Sequence, residues 1–198
     1  MKRVIYVLFF IVTIIGVKAQ ERKASLATVE KVTGVPIFLF SLPTEGYEVV
    51  GKAATGAHIV KISIDKTASL NDKTKTLVAT ALSRKEKGKI PELDGIIIDL
   101  DKEKIFAVKF NNGVSLSADV LRMNEVPVYI FSTPNDEYDV VAKMEADYSA
   151  YASRGLLYDK IKSMVNRVVK KEEAGEVGSF DAIIINADDL SETLIKFK

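Results

Sequence analysis

Apolar and polar positions follow one another in the same order twice along this chain. Val35–Lys52 reads VPIFLFSLPTEGYEVVGK and Val126–Lys143 reads VPVYIFSTPNDEYDVVAK. A shift of 91 positions aligns the valine, both prolines, the Phe-Ser pair, the tyrosine, the Val-Val pair and the lysine without a gap. Ile37–Phe40 is apolar throughout, the pattern of a strand covered on both faces. Pro36 has no N–H to give to a ladder, so it marks that strand's first residue or an edge. Ser41–Gly46 is turn chemistry. Tyr47–Val50 and Ala57–Ile64 are rich in β-branched residues and predict strands, with Gly51 and Gly56 marking a bend or bulge between them. Thr28–Val32 adds a short extended piece.

Leu70, Thr74, Leu77, Val78 and Ala81 recur at three- and four-residue steps and predict a helix over Ser69–Lys87. Ser69-Leu70-Asn71-Asp72 fits a capping box at its start. Arg84, Lys85 and Lys87 collect where the helix dipole favours positive charge, and Gly88 and Pro91 stop it. Asp94–Leu100 and Ile105–Phe110 predict two strands joined as a hairpin through Asp101–Lys104. Asn111-Asn112-Gly113 is a tight turn. The second copy keeps this order to the end of the chain, now at an offset of 87. Asp159-Lys160 aligns with Asp72-Lys73, Met164-Val165 with Leu77-Val78, Asp181–Ile185 with Asp94–Ile98, and Leu194–Phe197 with Ala107–Phe110.

Each copy therefore reads strand, strand, helix, strand, strand. The expected fold class is α+β: two tandem ββαββ repeats, residues 28–113 and 114–198, each a mostly antiparallel sheet covered by one amphipathic helix. A pseudo-twofold relation between them is expected. A shared sheet and two packed sheets both satisfy the pattern.

The first residues stand apart. Met1-Lys2-Arg3 is basic, Val4–Val17 is apolar without interruption, and Val17-Lys18-Ala19 places small residues three and one before a cut. This predicts a signal peptide over residues 1–19, cleaved between Ala19 and Gln20, with residues 20–27 as a polar lead-in. The apolar run is shorter than the ~20 residues of a spanning helix, so the mature chain is not expected to cross a membrane. A retained anchor is the competing reading. Removing residues 1–19 takes away Lys2, Arg3 and Lys18 and no acid, which leaves a net charge of −2 and no electrostatic reason to expect nucleic acid. The absence of cysteine excludes disulfides, thiolate metal sites, a cysteine nucleophile and a lipid-anchored lipoprotein. An exported chain without disulfides fits a periplasmic or secreted bacterial protein.

Candidate chemistry is sparse. His58 is the only histidine and has neither a G-x-S-x-G serine nor a second histidine to work with. Asp99 with Asp101, and Asp188 with Asp189 near Asn186, lack the spacing of a calcium loop and read as turn residues. Asp94 and Asp181 each stand just before three isoleucines, with Gly95 or Ala182 between, where a carboxylate can hold turn amides. Tyr47 and Tyr138, with Lys52 and Lys143, recur in both copies and are candidate ligand- or partner-binding residues. In strict alternation, residues five apart point to opposite faces. Tyr148 and Tyr151, with Tyr158, form an aromatic cluster that suits an interface or a core equally. Lys160, Lys162, Arg167, Lys170 and Lys171 read as a solvated helix face. No phosphate loop, zinc pattern or paired-carboxylate motif is present, and no cofactor or metal is expected.

Tyr138–Lys143 (YDVVAK), an amphipathic helix, and then AGEVGSFDAIII resemble the small bacterial YbjQ-type and RcsF-like domains. Ala174, Gly178, Asp181, Ala182 and Ile183 are the matching positions. The first copy keeps Asp94 in LDGI, with Pro91 and Glu92 in place of the glycine region. The resemblance implies a sheet-and-helix module used in assembly or envelope sensing, without established chemistry. The expected function is thus an exported, non-catalytic binding or assembly module of the bacterial envelope, open to homo-oligomerisation. The alternative is a small-ligand-binding protein or hydrolase with its site at the seam between the repeats.

Overall fold

The computed structural model describes residues 22–54, 57, 68–145 and 156–198. Within them the chain is α+β, with three mostly antiparallel sheets and two long helices. The N-terminal half runs β1 (Ala27–Val29), β2 (Lys31–Val32), β3 (Val35–Leu39), β4 (Ser41–Pro43), β5 (Tyr47–Lys52), α1 (Leu70–Glu86), β6 (Gly95–Asp99) and β7 (Lys104–Phe110). The C-terminal half runs β8 (Ser117–Val120), β9 (Arg122–Met123), β10 (Val126–Tyr129), β11 (Ser132–Pro134), β12 (Tyr138–Met144), α2 (Leu157–Glu173), β13 (Ala182–Ile185) and β14 (Glu192–Phe197).

This departs from the ββαββ expectation. Among the described residues five strands precede each helix where two were expected, and Ser41–Pro43, read as turn, is strand β4. The strand expected over Ala57–Ile64 lies outside the described residues except for Ala57, which is helical. Two five-stranded sheets have the orders β2-β3-β6-β7-β5 and β9-β10-β13-β14-β12. Each contains one parallel pair, β3 with β6 and β10 with β13, beside antiparallel neighbours. At Pro36 only β2 is paired, since the β3–β6 ladder begins at Ile37, so the proline's missing N–H falls outside that ladder. The hairpins β2–β3 and β9–β10 turn on residues of positive φ, Thr33-Gly34 and Asn124-Glu125, as two-residue primed turns require.

The third sheet joins the halves by exchange. Its order is β11-β1-β8-β4. Strand β1 pairs with β11 and β8, and β4 pairs with β8, so each outer contact takes its partner from the other half. Ala27 lies opposite Ala118, and outside the sheets Leu39 bridges Ile130. Leu121 N–H donates to Phe40 C=O at 2.8 Å, and Glu30 N–H to Phe131 C=O at 2.7 Å. These contacts explain why SLP and STP are strands: their pairing partners sit 75 to 107 positions away.

One face of each five-stranded sheet is buried under the helices in a common core, where Ile37, Leu77, Ile96, Val128, Val165 and Ile183 meet. The opposite faces carry Phe38, Val108 and Phe110 in one half and Tyr129, Ile195 and Phe197 in the other, covered by Val29, Ala118 and Ala27 of the exchanged sheet. Helix α1 begins as its sequence predicts, with Ser69 Oγ accepting from Asp72 N–H at 3.1 Å. The Lys75 ammonium, and then Ser69, hold the Asp72 carboxyl below the usual range. Among the described residues no helix is long and apolar enough to cross a membrane.

The chain's first described residues are tied down. Arg22 pairs with Glu172, donates to Phe180 C=O and stacks 4.1 Å over the Phe180 ring. Lys23 Nζ donates to the carbonyl of Lys198 at 3.0 Å. The fully buried Tyr129 hydroxyl accepts from Ser25 N–H at 3.1 Å and donates to Ser25 C=O at 2.8 Å. Tyr129→Phe strands both backbone groups and is expected to cost about 1–3 kcal/mol in urea unfolding. Burial pushes the Tyr129 hydroxyl above its ordinary pKa. Its stabilising contribution is then complete below about pH 10 and is lost as pH rises through the shifted value, because the unfolded chain ionises first. The alkaline fall in stability should shrink in Tyr129→Phe; an unchanged profile would assign that fall elsewhere.

Candidate functional site

Two clefts open at the carboxyl ends of the parallel strand pairs, the place where open sheets leave room for ligands. The first, about 320 Å³, lies beyond β3 and β6. Phe40, Ser41 and Leu42 form one wall and Ile97–Lys102 another. Leu121 and Tyr158 of the C-terminal half close it, with Tyr158 stacked on Phe40 at 6.2 Å between ring centres. The second cleft, about 610 Å³, lies beyond β10 and β13. Phe131, Ser132 and Thr133 form its corresponding wall, Ile184–Ala187 the other, and Glu30 of the N-terminal half contributes to it.

Two features coincide in both clefts. Phe40 and Phe131 have φ of 56° and 53°, a left-handed conformation that bulky side chains adopt at a cost of about 1–2 kcal/mol. The exchanged hydrogen bonds through their carbonyls and the burial of both rings hold them there. The turned backbone then directs Ser41 and Ser132 inward, where they are 2% and 4% exposed. Both hydroxyls are buried and have no hydrogen-bond partner among the described residues. A buried hydroxyl without a partner costs about 1–3 kcal/mol, so each cleft carries a polar group that a bound molecule could satisfy.

The residues singled out from sequence fare differently. Lys143 lines the second cleft. Tyr47 and Tyr138 do not reach either cleft; they are half-buried against Phe38 and Phe110, and against Tyr129 and Phe197. Lys52 is exposed, and its carbonyl accepts from Arg84 Nε at 3.2 Å. The expected opposition of tyrosine and lysine across the strand is overturned. A bulge between Val49 and Gly51 adds a residue, so Lys52 lies opposite Phe106 and Tyr47 opposite Phe110, both on one face. Val140–Ala142 repeats that bulge for Tyr138 and Lys143. The pairs remain four ladder positions apart, about 13 Å, and do not make one compact site. Tyr148, Tyr151 and His58 lie outside the described residues.

The carboxylates behave as turn and strand-end groups. Asp94 Oδ2 accepts from Phe110 N–H at 3.1 Å and Asp181 Oδ2 from Phe197 N–H at 2.9 Å. Asp99 binds both the amide and the ammonium of Lys102, each at 3.0 Å. The Ser191 hydroxyl, and then the Ser191 N–H that donates to Asp189 Oδ1 at 2.8 Å, hold the Asp189 carboxyl below its ordinary pKa. Among the described residues no three His, Cys, Asp or Glu side chains gather as a cation site. The helix cations are not all solvated: Lys160 is buried, as is Lys73 in α1, and Arg167 reaches inward to Glu192 at 2.7 Å.

Sequence reasoning missed the serines. Their only signal was the recurrence of Phe-Ser in both copies, which is silent about φ and burial. No family model, curated protein or solved structure matches the chain.

Proposed function

We propose that this chain is an exported, non-catalytic binding or assembly module of the bacterial envelope, built by tandem duplication, with ligand sites in the two seam clefts. The observation that carries the binding role is the repeated placement of a buried hydroxyl, without a partner among the described residues, in a cleft walled by both halves. Duplication is supported by residues 91 positions apart that contact each other, Ala27 with Ala118 and Leu39 with Ile130, as a pseudo-twofold axis through those pairs demands. The repeat unit is then larger than ββαββ, because it includes the short strands given to the exchanged sheet. Export rests on the basic, apolar, small-residue succession of residues 1–19, and the resemblance of AGEVGSFDAIII to envelope-sensing domains points the same way.

Native mass spectrometry of the protein recovered from exporting cells tests this reading. The expected result is a chain beginning at Gln20 that retains a small molecule, and a Ser41→Ala/Ser132→Ala double variant that stays folded and loses it. A chain beginning at Met1 would favour the anchored form. Hydrolysis of p-nitrophenyl acetate that disappears with either serine substitution would move the protein to the hydrolase alternative.

A further inference from the structure

The two clefts correspond position by position, yet their linings differ in kind. Leu42 of the first stands where the second has Thr133, Leu121 where it has Glu30, Leu100 where it has Ala187, and Asp99 where it has Asn186. Tyr158 stacks over the first, while Asn71, its counterpart in α1, donates through its N–H to Ala187 C=O at 3.0 Å beside the second. The second cleft also gathers Lys143, Glu145 and Glu192. What the clefts share is the inward serine beside a left-handed phenylalanine.

We infer that the first cleft is a site for a small, uncharged, largely aliphatic or aromatic molecule bearing one hydroxyl, carbonyl or amide, and that the second cleft does not take this class. The inference rests on the seam clefts being ligand sites and specifies the chemistry of one. The serine hydroxyl both donates and accepts, so any of those three groups satisfies it. Phe40, Leu42, Leu121 and Tyr158 supply the apolar contact for the rest of the molecule. Leu42 and Leu121 are 38% and 43% exposed, and they gain most from being covered. Charge argues against an anion: Lys102, the cation at the rim, is already engaged by Asp99, and Asp101 adds a second negative group. A volume of about 320 Å³ matches the small end of ligand cavities.

The test is an NMR titration of the full mature chain with 1-octanol, and with octanoate as its charged counterpart. Octanol should shift the amides of Ser41, Leu42, Leu121 and Tyr158, and bind at least tenfold more tightly than octanoate. Ser41→Ala should weaken octanol binding about fivefold, the loss of one hydrogen bond, while Ser132→Ala leaves it unchanged. Leu121→Glu, an exposed change that copies the second cleft, should weaken it tenfold or more. No octanol binding, equal affinity for octanoate, or equal losses from the two serine variants would overturn the assignment. The broader reading of the seam is judged separately, by whether the exported protein retains any molecule that the double serine variant releases, and that result does not depend on octanol.

Discussion

Expressed alone, neither residues 20–113 nor residues 114–198 should give a cooperative unfolding transition, whereas the two mixed should recover one. Strands β1 and β4 belong to the first segment but do not pair with each other; both find partners only among β8 and β11 of the second. Separation leaves these backbone groups without a ladder and uncovers Phe38, Val108 and Phe110 on one side and Tyr129, Ile195 and Phe197 on the other. The helix-side core is divided as well, since Leu77 and Ile96 share it with Val165 and Ile183. A chain of about 85 residues is marginal even with its core intact, and these losses far exceed the ~5–15 kcal/mol that usually separates folded from unfolded. Circular dichroism melts of each segment and of the equimolar mixture make the comparison. A sharp melt from either segment alone would mean that the exchanged sheet contributes little.

The second large effect concerns Glu192, 1% exposed on β14 and paired with Arg167 of α2 at 2.7 Å. Removing one partner of a buried ion pair costs about 3–5 kcal/mol, because the remaining charge stays where water cannot reach it. Arg167→Ala should therefore lower the melting temperature by about 10 °C. The other half of the molecule suggests the rescue. The positions corresponding to Glu192 and Arg167 are Ile105, which is buried, and Thr80. Arg167→Thr combined with Glu192→Ile should regain most of the loss, since the same backbone already accepts that pair once. If Arg167→Ala shifted the melt by less than about 2 °C, the pair would be acting as an ordinary surface contact.

The helix at Ser69–Lys87, its serine cap and the hairpin through Asp101–Lys104 were legible because each depends on residues close in sequence. Their periodicity and turn chemistry act over one helical turn or one tight loop. Strands of three residues such as Ser41–Pro43 and Ser132–Pro134 carry no readable alternation, and their existence depends on partners far along the chain. The parallel pairing of β3 with β6 was hidden for the same reason: Ile37–Leu39 and Ile96–Ile98 are apolar on both faces whichever way they run. The candidate site was less legible still. Phe-Ser recurs in the sequence, but a phenylalanine at φ near 55° arises only when a bond such as Leu121 N–H to Phe40 C=O captures it from outside. Tyr47 and Lys52 were misassigned to opposite faces because one bulged residue reverses every alternation beyond it.

The hydrogen bond from Lys23 to the carbonyl of Lys198 allows the order of the halves to be rearranged. A short linker from Lys198 to Arg22, with the chain opened between Asn112 and Gly113, yields a circular permutant that begins with β8 and ends with β7. Every strand keeps its neighbour, since β1 still meets β11 and β8 still meets β4. The opening falls at an exposed turn, where such cuts are tolerated best. The exchanged sheet is thus indifferent to which half is made first, and what the covalent connection supplies is the permanent local concentration of one half around the other.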